Sequence, residues 1–215
     1  MKIFIGHDST QQINTDACLR SLEVYGDYGL DINLIDLQEM RKLGYGRIED
    51  GSTEFAYTRF LVPYLCDYKG YALFCDSDFI WRSHPHYVLG FVDHDPVTCV
   101  KHPRMETKGT TKFKGNKNEW YPKKWWSSLM LFDCSHPDIV NNLTLENVNT
   151  QSSQWLHRME WASSIGELPK EFNHLIRYYD YDPNAVAVHF TEGSPMYSEY
   201  EKDDYADEWR KFAEF

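Results

Sequence analysis

Residues 71–78 read Tyr-Ala-Leu-Phe-Cys-Asp-Ser-Asp, and this stretch decides the fold. Its first five residues form an apolar run without alternation, which is typical of a β-strand buried on both faces of a sheet. Asp76 and Asp78 follow that strand directly. Because ligands of an open α/β sheet bind beyond the carboxyl ends of its strands, we expect both carboxylates at the ligand-binding edge.

Strands and helices alternate on either side of this stretch. Short apolar runs predict strands at 3–5, 32–37, 97–100, 128–132 and 185–190. Helical spacing predicts helices from about residue 15, from about residue 54 to Pro63, and over 152–163. This order predicts an α/β fold, with a mostly parallel central sheet flanked by helices in a single domain.

Size and charge limit the classes of function. The chain has 215 residues, of which 42% are hydrophobic and 16% aromatic, and this composition supports one packed domain. Lys and Arg number 22 against 33 Asp and Glu, so the formal net charge is -11. A negative charge of this size disfavours nucleic acid and anionic lipid as partners. No apolar run approaches the roughly 20 residues that cross a bilayer, so we expect no membrane span.

The cysteines and the first residues indicate a compartment. The five cysteines are widely spaced, odd in number and without a C-x-x-C pair, so neither a disulfide framework nor a thiolate zinc site is expected. The first residues turn polar too early for a signal peptide. Both features predict a reducing, cytoplasmic setting.

Two later segments stand out. Residues 101–124 contain eight basic and two acidic residues, a local charge of +6, interspersed with Gly and Thr. We interpret this basic segment as a mobile loop, which is either a solvated connection or a lid that contacts the acceptor. Trp209, Phe212 and Phe215 recur at three-residue spacing and predict a terminal helix that docks on the body.

The two aspartates are a candidate metal site. Their like charges repel unless a cation lies between them. Hard oxygen ligands suit magnesium or manganese, which keep open positions for the oxygens of a substrate diphosphate. Acids at strand ends also cap helices or face solvent, so the D-x-D spacing alone leaves that alternative open.

The order of these motifs resembles the core of the GT-A-type glycosyltransferases, and the nearest pattern is the family-eight type. The motifs that carry the resemblance are an arginine-bearing helical segment at 53–65, the D-x-D strand, a later strand at 126–132 and a closing histidine segment at 187–193. The resemblance covers about residues 1–197, and the chain is similar in size to compact virus-encoded sugar transferases. It implies a GT-A (Rossmann-like) fold, a UDP-sugar donor, Mn²⁺ or Mg²⁺, a glycan or other hydroxyl acceptor, and retention of anomeric configuration.

The resemblance also implies roles for individual residues. Asp76, Asp78 and His189 would ligate the metal, with the two aspartates at the catalytic centre. Arg59 would hold the donor near its phosphates or sugar, although a simple pair with Glu54 is an alternative. The donor-binding set would comprise His7, Asp8, Arg59, Asp76, Ser77, Asp78, Gly193 and Ser194. The single domain, 1–215, would then have a nucleotide-binding half at about 1–100 and an acceptor-side half at about 101–215.

The chain departs from the family pattern in three places. Residues 193–197 lack the lysine and tryptophan of the usual G-x-x-K-P-W pattern, so the diphosphate must meet the metal, backbone N–H groups or a cation from elsewhere. Residues 151–155 read Gln-Ser-Ser-Gln-Trp where an acidic D-Q-D segment is usual, and Ser127 stands where Asn is usual. These residues therefore do not identify the transferred sugar or the acceptor.

Two other functions use the same residues. A metal-dependent phosphoesterase or hydrolase could combine Asp76 and Asp78 with the His84-Pro85-His86 and His7-Asp8 segments. A non-catalytic carbohydrate-binding domain could stack sugars on its tryptophans around a structural cation.

Overall fold

A computed structural model describes residues 1–26, 29–48, 51–112 and 115–213. The strands are β1 (Lys2–Gly6), β2 (Asp31–Ile35), β3 (Tyr71–Cys75), β4 (Phe79–Trp81), β5 (Val97–Val100), β6 (Thr111–Lys112), β7 (Asn116–Lys117), β8 (Leu129–Asp133), β9 (Gly166–Leu168), β10 (His174–Leu175) and β11 (Ala187–His189). The α-helices are α1 (Gln12–Tyr25), α2 (Leu37–Lys42), α3 (Val62–Leu65), α4 (Pro137–Asn142), α5 (Leu145–Thr150), α6 (Ser153–His157) and α7 (Ala206–Ala213).

The main sheet has six strands in the order β2-β1-β3-β8-β5-β9. Strand β8 is antiparallel to both of its neighbours, and the other pairings are parallel. A smaller sheet has the order β10-β11-β4. The predicted α/β fold with a mostly parallel central sheet and flanking helices is confirmed.

Strand β3 is buried on both faces, as its unalternating apolar run predicts. Ala72 and Phe74 contribute to a core that also contains Phe60 and Trp161. Leu73 and Cys75 point to the opposite core, which α1 covers. Because successive side chains of a strand face opposite sides, both layers of the molecule depend on this strand.

The chain leaves β3 at an edge where three chain segments meet. The N–H of Asp76 donates to the carbonyl of Ser128, 2.9 Å away, just before the start of β8. Strand β4 begins at Phe79, which is paired with His189 at the end of β11. The two sheets therefore bring the D-x-D turn, the segment before β8 and the end of β11 together.

Two element boundaries near the site differ from prediction. The segment expected as a helix from residue 54 to Pro63 forms turns, then a 3-10 helix at Thr58–Leu61, then α3. Pro63 lies in the first turn of α3, where no N–H is needed, so it does not end a helix. The strand expected at 32–37 ends at Ile35 because the Asp36 side chain caps α2 by accepting from the N–H of Glu39.

The helix expected over 152–163 is also shorter. It begins after Ser152, whose hydroxyl accepts from the N–H of Trp155, and it ends at His157. Met159 has a φ of 52°, a left-handed conformation that a continuing right-handed helix excludes. Apolar spacing could not reveal this turn.

The basic segment contains local structure. Strands β6 and β7 pair as a short antiparallel hairpin. Asn118 and Lys124 are buried although the segment is predicted as a solvated or lid-like loop. Its ends are therefore part of the packed body.

The predicted terminal helix is α7, and it packs against α1. Trp209 is buried with Ala17, Ile80 and Phe190, and Phe212 packs at the margin of this cluster. Phe215, the third residue of the predicted pattern, lies outside the described residues.

The thiols and the helix lengths agree with the sequence. All five cysteines are buried and unpaired by disulfides. Within the described ranges, every helix is too short or too polar to cross a bilayer.

Truncation of Trp209 tests the docking of α7. We expect Trp209→Ala to lower the free energy of unfolding by about 3 to 5 kcal/mol, since it removes a buried aromatic side chain. Urea denaturation measures this loss. Tyr87→Ala, which removes a side chain that is 61% exposed, is the control and should change stability by less than about 0.5 kcal/mol. An equal, small effect of both substitutions would contradict the packing described for α7.

Candidate active site

The guanidinium of Arg59 holds the first aspartate. Nη1 of Arg59 donates to Oδ1 of Asp76 at 2.7 Å and to the carbonyl of Ser127 at 2.8 Å. Nε donates to the carbonyl of Ala56 at 3.1 Å. The alternative pair with Glu54 is wrong, because Glu54 accepts from the N–H and hydroxyl of Ser9 instead. Arg59 is buried, and its charge offsets that of Asp76 where the chain leaves β3.

The second aspartate faces a histidine. Oδ1 of Asp78 lies 3.3 Å from Nε2 of His189, which is buried at the end of β11. The ring of His189 stacks on Phe79 with 4.4 Å between centroids. Oδ1 of Asp78 is itself buried and has no hydrogen-bond partner among the described residues. A buried acceptor without a donor is costly, so the position calls for a cation.

Asp76, Asp78 and His189 together fit a divalent metal. One ligand atom from each lies within 4.8 Å of the others. Two carboxylate oxygens and one imidazole nitrogen are a donor set that suits manganese, and the carboxylates also suit magnesium. The structure thus brings together the three residues predicted as metal ligands.

A cavity of about 450 Å³ opens beside the aspartates, within the size range of small-molecule sites. Arg59, Asp76, His189 and Thr191 line this cavity. Its other walls comprise Gly51, Ser52, Ala56, Tyr57, Glu119, Tyr121, Lys124, Trp125, Ser127, Ser128, Ser153, Gln154, His157 and Arg158. Ser153 and Gln154 come from the segment where an acidic motif is usual, so that segment reaches the cavity with neutral side chains.

His157 is a cavity residue that the sequence did not single out. Its Nδ1 lies 2.9 Å from Oγ of Ser127, and its ring contacts those of Phe60 and Tyr57. Removal of the ring from water lowers the pKa of His157, and the charges of Arg59 and Arg47 lower it further, to about 3. At neutral pH the side chain is therefore an uncharged hydrogen-bonding group.

The remaining predicted donor-binding residues occupy varied positions. Nδ1 of His7 lies 3.1 Å from Oγ1 of Thr15, and Asp8 caps a short 3-10 helix by accepting from the N–H of Thr10. Ser77 lines a small cavity of about 50 Å³ with the metal-ligand candidates. The described side chains that line either cavity include neither His7 nor Asp8.

Gly193 and Ser194 follow the histidine strand. Gly193 has a φ of +153°, and a Cβ there would lie 2.2 Å from the ring of Tyr200, so only glycine fits. The hydroxyl of Ser194 is buried and makes no hydrogen bond with the described part of the chain. Their contact with a donor stays a prediction.

A buried carboxylate fastens the basic segment to the histidine strand. Oε2 of Glu192 accepts from Nδ2 of Asn118 at 2.7 Å, and Oε1 accepts from the hydroxyl of Tyr178. Nζ of Lys124 donates to Oδ1 of Asn118 at 2.7 Å. Burial and the bond to Glu192 raise the pKa of Tyr178 to about 12, so its hydroxyl stays a donor. Through the hydrogen bond to Asn118, Lys124 is held in the cavity wall.

Comparison with known proteins assigns the family. No model of a known protein family matches the chain. The chain is 35% identical over 219 residues to Protein CDI of Arabidopsis thaliana, and the alignment covers 97% of this chain and 84% of that protein. The chain belongs to the Protein CDI family. The name of that family carries no statement of activity.

Solved structures assign the fold of this CDI-family chain. The bifunctional glycosyltransferase WbbM matches with a TM-score of 0.66 and 13% identity over all of this chain and 49% of its own length. The apo form of the glycosyltransferase GlyE of Streptococcus pneumoniae TIGR4 matches with a TM-score of 0.64 and 11% identity over all of this chain and 60% of its own. The chain thus spans about half of WbbM and three fifths of GlyE.

A third structure matches over nearly its whole length. The galactosyltransferase LgtC, in complex with donor and acceptor sugar analogs, has a TM-score of 0.60 and 14% identity over 99% of this chain and 95% of its own. These likenesses show that the CDI-family chain has the GT-A fold of glycosyltransferases.

The pKa of His157 predicts a pH dependence of stability. Because the pKa of His157 is lower in the folded state than the ordinary value near 6.5, the unfolded chain binds the extra proton as the pH falls below 6.5. Its contribution to stability is complete above that pH and is lost progressively toward pH 3. Between pH 7 and pH 5 the loss from His157 is about 2 kcal/mol.

Urea denaturation at pH 7 and pH 5 checks this value. We expect the free energy of unfolding of His157→Gln to fall by about 2 kcal/mol less over this interval than that of the unmodified chain. His136→Gln, at a partly exposed position between β8 and α4, is the control. Identical pH dependence of the His157 variant and the unmodified chain would show that the ring titrates normally.

Proposed function

We propose that this CDI-family protein is a metal-dependent glycosyltransferase of the family-eight type. It transfers a sugar from a UDP-sugar to a hydroxyl of a glycan or other acceptor, with retention of anomeric configuration. A cytoplasmic location, where five unpaired thiols persist, is part of the proposal.

One observation carries the proposal. The ligand atoms of Asp76, Asp78 and His189 lie within 4.8 Å of one another, and Asp76 and His189 also line a cavity of about 450 Å³. This placement, in a chain with a GT-A fold, supports a site for an activated sugar whose diphosphate lies at the metal position. A bound divalent ion supplies positive charge to a leaving diphosphate.

The chain's own residues bind and orient the substrates in this proposal. Arg59 keeps Asp76 at the edge of the sheet. Ser127, Gln154 and the neutral His157 offer hydrogen bonds to sugar hydroxyls from the cavity wall. Lys124 adds a cation to a donor site that lacks the usual lysine after the histidine.

The phosphoesterase alternative receives less support. It requires His84, His86 or His7 to join the aspartates. Within the described ranges, the group of three or more His, Cys, Asp and Glu ligands that forms is Asp76, Asp78 and His189 alone. His84 instead accepts from the N–H of His86 at the start of a 3-10 helix.

Removal of one ligand charge tests the role of Asp78. We expect Asp78→Asn to lower turnover with Mn²⁺ or Mg²⁺ by about 10²- to 10³-fold, because loss of one well-placed electrostatic group typically raises a barrier by about 3 to 4 kcal/mol. Release of UDP from UDP-sugars measures the rate. Asp93→Asn, at an exposed position outside the cavities, is the matched control and should keep full activity. Near-normal turnover of the Asp78 variant would refute the assignment.

Nucleotide binding provides a test that does not need the acceptor. We expect UDP with Mn²⁺ to raise the melting temperature of the protein, because a ligand at 100 times its dissociation constant stabilises the folded state by about 2.7 kcal/mol. UDP without metal should have a smaller effect. A thermal-shift screen of nucleotides and nucleotide sugars, with and without Mn²⁺, measures both. The same shift with and without metal would contradict metal-dependent donor binding.

A further inference from the structure

Asn173 connects the metal-ligand histidine to the base of the basic segment. It is fully buried and lies at the end of the 3-10 helix Lys170–Asn173, directly before β10. Its Oδ1 lies 3.0 Å from Nδ1 of His189. Its Nδ2 lies 2.9 Å from Oγ of Ser128 and 3.4 Å from the carbonyl of Trp125. The side chain thus joins His189 to the turn that contains Trp125 and Ser128.

These contacts determine the orientation of the amide. The carbonyl of Trp125 can only accept, so the NH₂ group of Asn173 must face it. The hydroxyl of Ser128 uses its hydrogen on the same carbonyl at 2.6 Å and is therefore an acceptor toward Asn173. Both neighbours require donors, which leaves Oδ1 of Asn173 facing His189.

The orientation of the amide determines the tautomer of the histidine. An amide oxygen only accepts, so Nδ1 of His189 must carry the proton. In the uncharged ring with this tautomer, Nε2 presents its lone pair to Oδ1 of Asp78, 3.3 Å away. Two lone pairs that face each other at this distance can both bind one cation. A metal-ligating histidine needs this tautomer, with one nitrogen protonated and the other free to bind the metal.

We propose that Asn173 is a positioning residue that holds His189 in the Nδ1–H tautomer and so presents Nε2 as a metal ligand. The role rests on the proposed function, since it presupposes a metal at Asp76, Asp78 and His189. Asn173 acts only through His189. The carbonyl of Trp125 and the hydroxyl of Ser128 act one step further out, as the groups that orient the amide.

The tautomer can be observed directly. In a two-bond ¹H–¹⁵N correlation spectrum of the metal-free protein near pH 8, where a free imidazole is neutral, we expect His189 to show a protonated Nδ1 and an unprotonated Nε2. His189→Gln identifies the signals. In Asn173→Leu, which has similar volume but no acceptor, the ring should shift toward the Nε2–H form. A wild-type ring protonated on Nε2 would overturn the proposal.

Metal affinity supplies the second readout. We expect Asn173→Leu to weaken Mn²⁺ binding, measured by electron paramagnetic resonance of the free ion, by about 10- to 100-fold, the usual effect of losing a partner of a metal-ligating histidine. Asn173→Asp keeps an acceptor for Nδ1–H, and its affinity should stay within about threefold of wild type although it loses both N–H donors and some thermal stability. Asn142→Leu is the matched control, because it removes a hydrogen bond that the Asn142 side-chain amide donates to the carbonyl of Trp161.

The outcomes separate the two proposals. Wild-type protein that binds no Mn²⁺ would refute the metal site and with it the proposed function. Wild-type binding with an unchanged affinity in Asn173→Leu would refute the role of Asn173 alone. An equal loss of affinity in the Leu and Asp variants, in proportion to their loss of stability, would show that Asn173 is a structural residue and would also overturn the proposal.

Discussion

The structure depends on two close contacts at one edge of the sheet, an ion pair at Asp76 and the approach of Asp78 to a histidine. Arg59 neutralises Asp76 through a 2.7 Å ion pair, whereas Asp78 faces the acceptor nitrogen of a buried histidine at 3.3 Å. In the first contact a guanidinium donates to the carboxylate. In the second, Oδ1 of Asp78 has no hydrogen-bond donor among the described residues. This asymmetry distinguishes Asp76, whose charge is paired, from Asp78. The arrangement requires both sheets, because β3 of the main sheet leads into the D-x-D turn and β4 and β11 of the smaller sheet follow it and supply His189.

Much of the fold could be predicted because it depends on local patterns. The apolar run of β3 and the alternation of strands and helices identified an α/β sheet, and β5 was located to the residue. The C-terminal end of α6 and the start of α3 could not be predicted. The first depends on a left-handed backbone at Met159, and the second on a proline that begins a helix where the sequence suggested an end.

The site residues likewise comprise some that sequence motifs identify and others that only the folded structure identifies. Asp76, Asp78, Arg59 and His189 occur in motifs that can be recognised in sequence. His157 and Asn173 could not be assigned, because their roles arise from contacts with Ser127, 30 residues away, and with His189, 16 residues away. The nearest sequence signal for His157 was the neutral segment 151–155, which ends two residues before it. For the second, an asparagine before a two-residue strand carried no signal.

The wall of the cavity has two parts of different origin. One wall belongs to the sheet edges, and the other is carried by residues 119–125 and joined to the histidine strand through Asn118. The hairpin of β6 and β7 lies outside both walls. Changes in the length or charge of that hairpin therefore leave these anchor points unchanged. Such modularity suits a scaffold of this small size.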